Sequence, residues 1–317
     1  MSKLRIDKLR KHRSRCALSS LSVFAWLLFS APLVADDNVR CVNSKDPARA
    51  PTVFAVQLNG VPGLLRVPRI VTKPPILLWH GFGPPASESA LMEALPLDDV
   101  AAIKVYLGLP LFWQRTPPGG LDEIAARQKK DMPSLIFEPV VMGAAKELPS
   151  ILSALKDRGC MGPEDKIGLF GFSAGGAAVL FALAEKQVPI GAAVTLNAST
   201  GLSASVAAYE RATKQTYAWT AAAKEIAKRS DAVGRAADIA SGKPAPALLI
   251  VHGADDSMLG TQTAEALYQA LLPLYRKSGN AARLKLEVKP GMTHAWTQAA
   301  NADELRRSIG AWFNRNL

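Results

Sequence analysis

The most constraining feature of this 317-residue chain is the pentapeptide Gly171-Phe172-Ser173-Ala174-Gly175. The apolar run 166–170 enters it and the Ala-rich segment 174–186 leaves it, an order that predicts a strand, a tight turn and a helix. Glycines on both sides relieve crowding in such a turn, and we expect the serine hydroxyl to be exposed at its tip, above a helix N-terminus. An ordinary glycine-rich turn between a strand and a helix is the alternative interpretation.

Apolar runs alternate with helical patterns along the rest of the chain. Continuous apolar runs suit strands that are buried on both faces of a parallel sheet, so we predict a doubly wound α/β domain over 51–317. Residues 199–243 are longer than a simple crossover needs and predict a cap insertion of one or two helices over the sheet edge. The predicted strands are 54–58, 64–67, 75–80, 101–107, 166–170, 188–196, 247–251 and 284–288, and the predicted helices are 133–155, 174–186, 261–277 and 303–313.

A serine hydroxyl needs a general base to act as a nucleophile near neutral pH, and the chain has 4 histidines. His12 lies in the N-terminal segment, whereas His80 and His252 each close an apolar run. His294 lies in a predicted loop between the last strand and the last helix, at the edge of the sheet where the sites of α/β proteins collect. His294 is therefore the predicted base, and a surface histidine is the alternative.

Two adjacent aspartates follow the predicted strand 247–251 and precede His294. Their position gives the chain order serine, acid, histidine, in which the acid fixes the imidazole tautomer and stabilises the imidazolium. Asp256 begins a D-x-x-aliphatic pattern and is the preferred candidate, with Asp255 as the fallback. The spare aspartate is expected to cap the loop or to face water.

The stretch His80-Gly81-Phe82-Gly83 directly follows the predicted strand 75–80. Glycines there let the backbone approach a bound molecule, so the amides of Phe82 and Ala174 are predicted to form an oxyanion hole. His80 is expected to hold this loop rather than to take part in chemistry. A simple turn is the alternative for the tetrapeptide.

Four blocks, H-G-F-G, G-F-S-A-G-G, H-G-A-D-D and G-M-T-H-A-W, stand in the order and at roughly the spacing found in the α/β-hydrolase superfamily. Over about 51–315 the chain most resembles the dienelactone-hydrolase-like and prolyl-oligopeptidase-like serine esterase branches. The resemblance implies a mostly parallel eight-stranded sheet with helices on both faces, and acyl hydrolysis without metal or cofactor. It implies that Ser173 is the nucleophile, His294 the base and Asp256 the acid, with Phe82 and Ala174 forming the oxyanion hole.

One departure limits this resemblance: 107–110 reads Leu-Gly-Leu-Pro and lacks the acidic residue often seen before the proline. The implied activity is hydrolysis of a small-molecule carboxylic ester through an acyl-enzyme, but a fold does not decide function. A serine peptidase, an acyltransferase and a non-catalytic binding protein therefore stay open as alternatives. The oligomeric state stays open too. Aromatic candidates for an apolar pocket are Phe112, Trp113, Tyr217 and Trp219.

The net charge of +11 is concentrated at the N-terminus. Residues 1–35 hold seven of the 38 Lys and Arg and one of the 27 Asp and Glu, which leaves a net charge of +5 on the rest. Those remaining basic residues are dispersed, so nucleic-acid binding is not expected.

The N-terminal segment predicts a secretory signal peptide over 1–35. A basic stretch precedes the apolar run 23–29, and the small residue Ala35 precedes two aspartates, so cleavage is expected near Ala35. The mature protein, with an N-terminal extension over 36–50, would then be secreted or periplasmic and free of the membrane. An uncleaved membrane anchor is the alternative.

Cys41 and Cys160 are the cysteines that remain after signal cleavage. In an oxidising compartment two cysteines can pair. A disulfide and two separate thiols are both open at this point.

Overall fold

The computed structural model describes Arg40, Cys41 and residues 51–317. The predicted signal peptide over 1–35 and nearly all of the extension over 36–50 lie outside the described residues. In the domain over 51–317, eight strands form one sheet in the order β1-β2-β4-β3-β5-β6-β7-β8. Strand β2 is antiparallel to both β1 and β4, and the other neighbours are parallel. The strands are β1 Thr52–Leu58, β2 Val61–Val67, β3 Lys73–Trp79, β4 Ala102–Leu107, β5 Ile167–Phe172, β6 Ile190–Leu196, β7 Ala247–Gly253 and β8 Leu284–Lys289.

Helices cover both faces of the sheet, so the predicted mostly parallel α/β-hydrolase architecture is confirmed. On one face α1 and α10 enclose an apolar core, and on the other α4, α5 and α9 enclose a larger one. The α-helices are α1 Glu88–Ala94, α2 Gly120–Met132, α3 Gly143–Lys146, α4 Leu148–Asp157, α5 Ala174–Glu185, α6 Leu202–Thr213, α7 Ala221–Ser230, α8 Ala236–Ile239, α9 Thr261–Lys277 and α10 Ala302–Asn316. A π-helix over Pro133–Met142 connects α2 to α3.

The continuous apolar runs of the sequence arise because the central strands supply both cores. Successive side chains of a strand point to opposite faces. On β3, Leu77 therefore enters the larger core, whereas Ile76 and Leu78 enter the smaller one, and all three are fully buried. Central strands such as β3 consequently show no alternation of apolar and polar residues, whereas β8, with the sequence LKLEVK, does.

The predicted helix over 133–155 is interrupted in the structure. The π-helix Pro133–Met142 comes first, followed by the short α3 and by α4. Pro139 lies inside the π-helix and Pro149 lies in the first turn of α4. Proline has no amide hydrogen to donate, so a single α-helix that ran through Pro139 and Pro149 would lose a backbone hydrogen bond at each of them.

Two further elements differ from the prediction. Helix α2 is not among the predicted helices, and none of its residues is fully buried. The segment 199–243 holds three helices, α6, α7 and α8, instead of one or two. Helix α6 borders a cavity next to Ser173. Across the described part of the chain, no helix is long and apolar enough to span a bilayer.

The structure joins Cys41 and Cys160 in a disulfide, across a sequence separation of 119 residues. Cys160 lies between α4 and β5 and is buried. The bridge therefore ties the chain at Cys41 to the core of the domain.

Removal of this disulfide is expected to destabilise the domain. A cross-link that closes a long loop lowers the entropy of the unfolded chain, so Cys41→Ser should reduce the free energy of unfolding by about 2–4 kcal/mol. Urea titrations of the variant and of the wild type, each with and without reductant, measure this change. Reductant should affect only the wild type, and an identical midpoint for all four samples would contradict the expectation.

Candidate active site

Ser173 occupies the tight turn between β5 and α5, with φ 54° and ψ −115°. This left-handed backbone conformation is uncommon for a residue other than glycine and is held by its surroundings. A Cβ atom at Gly171 would lie 2.1 Å from the carbonyl oxygen of Gly175, and one at Gly175 would lie 2.5 Å from that of His80. The two glycines are therefore required by close packing, as the sequence predicts.

His294 and Asp256 meet Ser173 at the carboxyl edge of the sheet. His294 Nε2 lies 3.1 Å from Ser173 Oγ, and His294 Nδ1 lies 2.8 Å from Asp256 Oδ2. With the carboxyl group ionised, the Nδ1–H group donates a hydrogen bond to Asp256. Nε2 then carries no hydrogen and can accept the proton of the serine hydroxyl. The three residues predicted as nucleophile, base and acid thus form one hydrogen-bonded chain, a geometry suited to nucleophilic catalysis.

Asp256 is held as a buried carboxylate. Its Oδ1 accepts hydrogen bonds from the amides of Met258 at 2.9 Å and Leu259 at 3.1 Å. His252 Nε2 lies 3.2 Å from Oδ2, the oxygen that also faces His294. Burial by itself raises the pKa of the Asp256 carboxyl, but the interactions with His252 and His294 outweigh burial and hold the pKa well below its usual value.

The neighbouring Asp255 occupies a different environment. It is exposed, and its backbone amide donates to the carbonyl of Met292 at 3.0 Å. Of the two candidate acids, Asp256 is the one that contacts His294, and Asp255 is the aspartate that faces water.

The loop after β3 is fixed by His80, which is buried. Its Nδ1 donates to the carbonyl of Gly81 at 2.8 Å, and its Nε2 accepts from the amide of Leu109 at 3.3 Å. Burial lowers the pKa of His80 to about 4, so the ring is neutral near pH 7 and can accept at Nε2. His80 contacts backbone groups of two loops, as expected for a residue that holds the loop bearing Phe82.

A cavity of about 430 Å³ lies beside Ser173. Phe82 and Ala174 both border it, and the Phe82 ring stacks on that of Phe112 with 5.0 Å between the ring centroids. Of the residues that the structure describes, none with a charged side chain lines the cavity. Most of its wall comes from α2, the π-helix and α6, through Ile124, Gln128, Met132, Ile136, Phe137, Val141, Ser205, Ala208, Tyr209 and Ala212.

The four aromatic residues predicted for an apolar pocket have different positions. Phe112 lines the cavity beside Ser173. Trp113 is 61% exposed and donates its indole hydrogen to the carbonyl of Ala86. Tyr217 borders a smaller neighbouring cavity, of about 270 Å³. The ring of Trp219 packs edge-on against the ring of Tyr217.

Several residues near the site are not predicted from the sequence. Tyr209 in the cavity wall gives no local signal, because an aromatic residue in a helical segment is usually a packing residue. His252 and Asn197 each follow a buried apolar run, and a polar residue in that position is the signal that could have identified them. Within residues 40–41 and 51–317, no group of three or more His, Cys, Asp or Glu side chains is arranged to hold a metal ion.

The sheet topology and this serine-centred site define a serine hydrolase of the α/β-hydrolase class. Residues 145–317 match the model of the prolyl oligopeptidase family. The chain belongs to this family. No curated protein sequence matches it significantly.

Solved structures resemble the described domain at low sequence identity. The protein TT1662 from Thermus thermophilus has a TM-score of 0.61 and 17% identity, over 84% of this chain and 99% of that one. Carboxyl esterase 2 from the fungus Tuber melanosporum has a TM-score of 0.54 and 20% identity, over 91% and 93%. A puromycin-hydrolyzing peptidase from Mycobacterium tuberculosis has a TM-score of 0.60 and 16% identity, and the match spans 84% of this chain but only 39% of the peptidase. These similarities show the fold.

Proposed function

We propose that the protein is a serine esterase that hydrolyses carboxylic esters with an apolar acyl group. The hydrogen-bonded chain Ser173–His294–Asp256, which opens onto an uncharged and largely apolar cavity, is the observation that carries this proposal. Burial of a hydrocarbon acyl group against the apolar wall is favourable, because it removes apolar surface from water. A charged group would lose its hydration there.

The proposed reaction has two halves. Ser173 Oγ attacks the ester carbonyl carbon while His294 Nε2 takes the hydroxyl proton, and the resulting oxyanion is stabilised by the amides of Phe82 and Ala174. The C–O bond to the alcohol then breaks, and His294 returns the proton to the leaving alkoxide. In the second half, water gives a proton to His294 and attacks the acyl-enzyme, which releases the acid and restores the serine hydroxyl.

The oxyanion hole in this proposal is supported by two features. Ala174 is the first residue of α5, and the first amides of a helix have no partner within the helix. Phe82 follows β3 on the loop held by His80, and both Phe82 and Ala174 border the cavity that contains Ser173. Neither residue contributes through its side chain.

A peptidase is the second candidate, because the chain belongs to the prolyl oligopeptidase family. The same residues could attack an amide, so the two activities are separated by the leaving group. A series of p-nitrophenyl esters from C2 to C12, paired with p-nitroanilides of the same acyl groups, tests both on the mature protein. Activated esters are more reactive than anilides towards any serine hydrolase, so turnover of the esters with no cleavage of the anilides or of short peptides is the result that supports the esterase. Preferential cleavage of anilides or short peptides would support the peptidase instead.

The cavity predicts where the chain-length preference originates. Ala208 on α6 lines the cavity, and a larger side chain there removes space, so Ala208→Phe should shift the preferred acyl group to a shorter chain and lower kcat/KM for long esters about tenfold. Ala222 on α7 is exposed, and Ala222→Phe is the matched control that should leave the preference unchanged. An unaltered profile in Ala208→Phe would show that the acyl group binds elsewhere.

We also propose that the protein is exported, acts on small molecules and contacts neither nucleic acid nor membrane once its signal peptide is removed. The Cys41–Cys160 disulfide fits an oxidising compartment. N-terminal sequencing of the protein recovered from extracellular and periplasmic fractions tests this proposal. A mature N-terminus near residue 36 would support it, and an intact chain in the membrane fraction would indicate a retained anchor.

A further inference from the structure

We propose that Asn197 is a positioning residue, which holds His294 and the loop of Asp256 in the geometry that Ser173 requires. The inference rests on the triad of the proposed function. It is drawn from the contacts of one fully buried side chain at the carboxyl end of β6.

The carboxamide of Asn197 bridges two loops. Its Nδ2 donates to the carbonyl oxygens of Thr293 at 3.0 Å and His294 at 3.1 Å. Its Oδ1 accepts from the amide of Gly253 at 2.8 Å, three residues before Asp256. Both amide hydrogens and the oxygen are therefore used, and the identities of the partners fix the orientation of the group.

The backbone of Leu196 and Asn197 contacts both β7, which leads to Asp256, and the segment that carries Ser173. The amide of Asn197 donates to the carbonyl of Val251 on β7, and the amide of Ser173 donates to the carbonyl of Leu196, both at 3.0 Å. Asn197 has a φ of 45°, in the left-handed region where asparagine is several-fold enriched. Two consecutive residues, Leu196 and Asn197, thus contact the segments that carry all three members of the triad.

The loop around His294 depends on such support. Met292 and Trp296 are fully buried and anchor its ends, whereas Thr293 and Ala295 between them are exposed. The hydrogen bonds from Asn197 fix the two carbonyl groups that flank the Cα atom of His294. Because Asn197 is buried, water cannot readily replace these bonds when they are lost.

Loss of the carboxamide is expected to reduce turnover without weakening substrate binding. Asn197→Ala leaves two carbonyl groups and one amide without their partner, and a displacement of about 1 Å in a catalytic group can lower the rate about a hundredfold. We expect kcat to fall about 10- to 100-fold with KM unchanged. Asn197→Asp has nearly the same shape and keeps the acceptor for Gly253, but it places an oxygen against two carbonyl groups, so kcat should fall similarly.

A matched control separates positioning from general destabilisation. Tyr106 on β4 donates its hydroxyl hydrogen to the carbonyl of Leu95 at 2.7 Å, in the smaller core. Tyr106→Phe removes one buried side-chain hydrogen bond and should lower the melting temperature while kcat stays within about twofold of the wild-type value. Circular dichroism melts show which variants are folded at the assay temperature, and Asn197→Asp serves if Asn197→Ala does not fold.

The decisive experiment combines Asn197→Ala with His294→Ala, and measures hydrolysis of a p-nitrophenyl ester together with the rate of fluorophosphonate labelling. If Asn197 acts through His294, its substitution should have no further effect once the imidazole is absent. The same fold-loss in both backgrounds, or an unchanged kcat in the folded single variants, would overturn the proposal. If His294→Ala alone retains full activity, it is the triad assignment that fails, and the two failures are thereby distinguished.

Discussion

We expect Ser173→Ala to lower kcat for a p-nitrophenyl ester by about a million-fold and to abolish labelling by a fluorophosphonate. In the proposed reaction the serine oxygen forms the acyl-enzyme, and His294 Nε2 lies 3.1 Å from it, within reach of its proton. Without this oxygen, His294 can only assist water, and the residual rate comes from binding and from the oxyanion hole.

Ser205 provides the matched control for this substitution. It lines the same cavity, and its hydroxyl lies 2.8 Å from that of Ser199. Ser205→Ala should stay within about tenfold of the wild-type kcat and should still react with the probe. Activity retained in Ser173→Ala would contradict the assignment of the nucleophile. If the wild type did not react with the probe at all, the proposed esterase would be rejected in favour of a non-catalytic binding protein.

Asp256→Asn is expected to lower kcat about ten-thousand-fold. In the structure Asp256 Oδ1 accepts hydrogen bonds from two backbone amides. The side-chain oxygen of an asparagine should therefore take the place of Oδ1, and its NH₂ group should face His294. The imidazole would then accept at Nδ1 and carry its proton on Nε2, where it can no longer accept from Ser173. The variant should fold, because its shape is conserved.

The adjacent aspartate supplies the comparison. Asp255 is exposed, and Asp255→Asn makes the same chemical change one residue away. It should leave kcat/KM within about twofold of the wild-type value when both variants are assayed on the same ester. A large loss in Asp255→Asn with little change in Asp256→Asn would reverse the assignment of the acid.

The strands and the triad could be predicted because local chemistry specifies them. The run before Ser173 is apolar throughout since β5 is buried on both faces, and the glycines around the serine are required by contacts shorter than 3 Å that any Cβ atom would make. Asp256 and His294 follow strands at the edge where parallel strands end together. Chain order and the positions of the strand ends were therefore enough to predict that these three residues, distant in sequence, lie in one site.

The cavity wall could not be predicted in the same way. Helix α2 has no fully buried residue, because its inner side faces a cavity and not a packed core, and its sequence holds few large apolar side chains. The π-helix differs from an α-helix in its hydrogen bonding, which composition does not reveal. The position of Asn197 after a buried apolar run marks it as a candidate, but its role could not be predicted, because that role depends on three backbone partners that are distant in sequence.

The separation between the triad and the cavity wall has a consequence for the evolution of this protein. Ser173, His294 and Asp256 are held by strand ends and by their immediate neighbours, whereas most of the wall belongs to α2, the π-helix and α6. Under the proposed function, substitutions at wall positions such as Met132 or Tyr209 should therefore change which substrates are accepted and leave Ser173, His294 and Asp256 in place. If the protein is the proposed esterase, its substrate selectivity can thus evolve through single substitutions in the wall, with each successive variant keeping the complete triad.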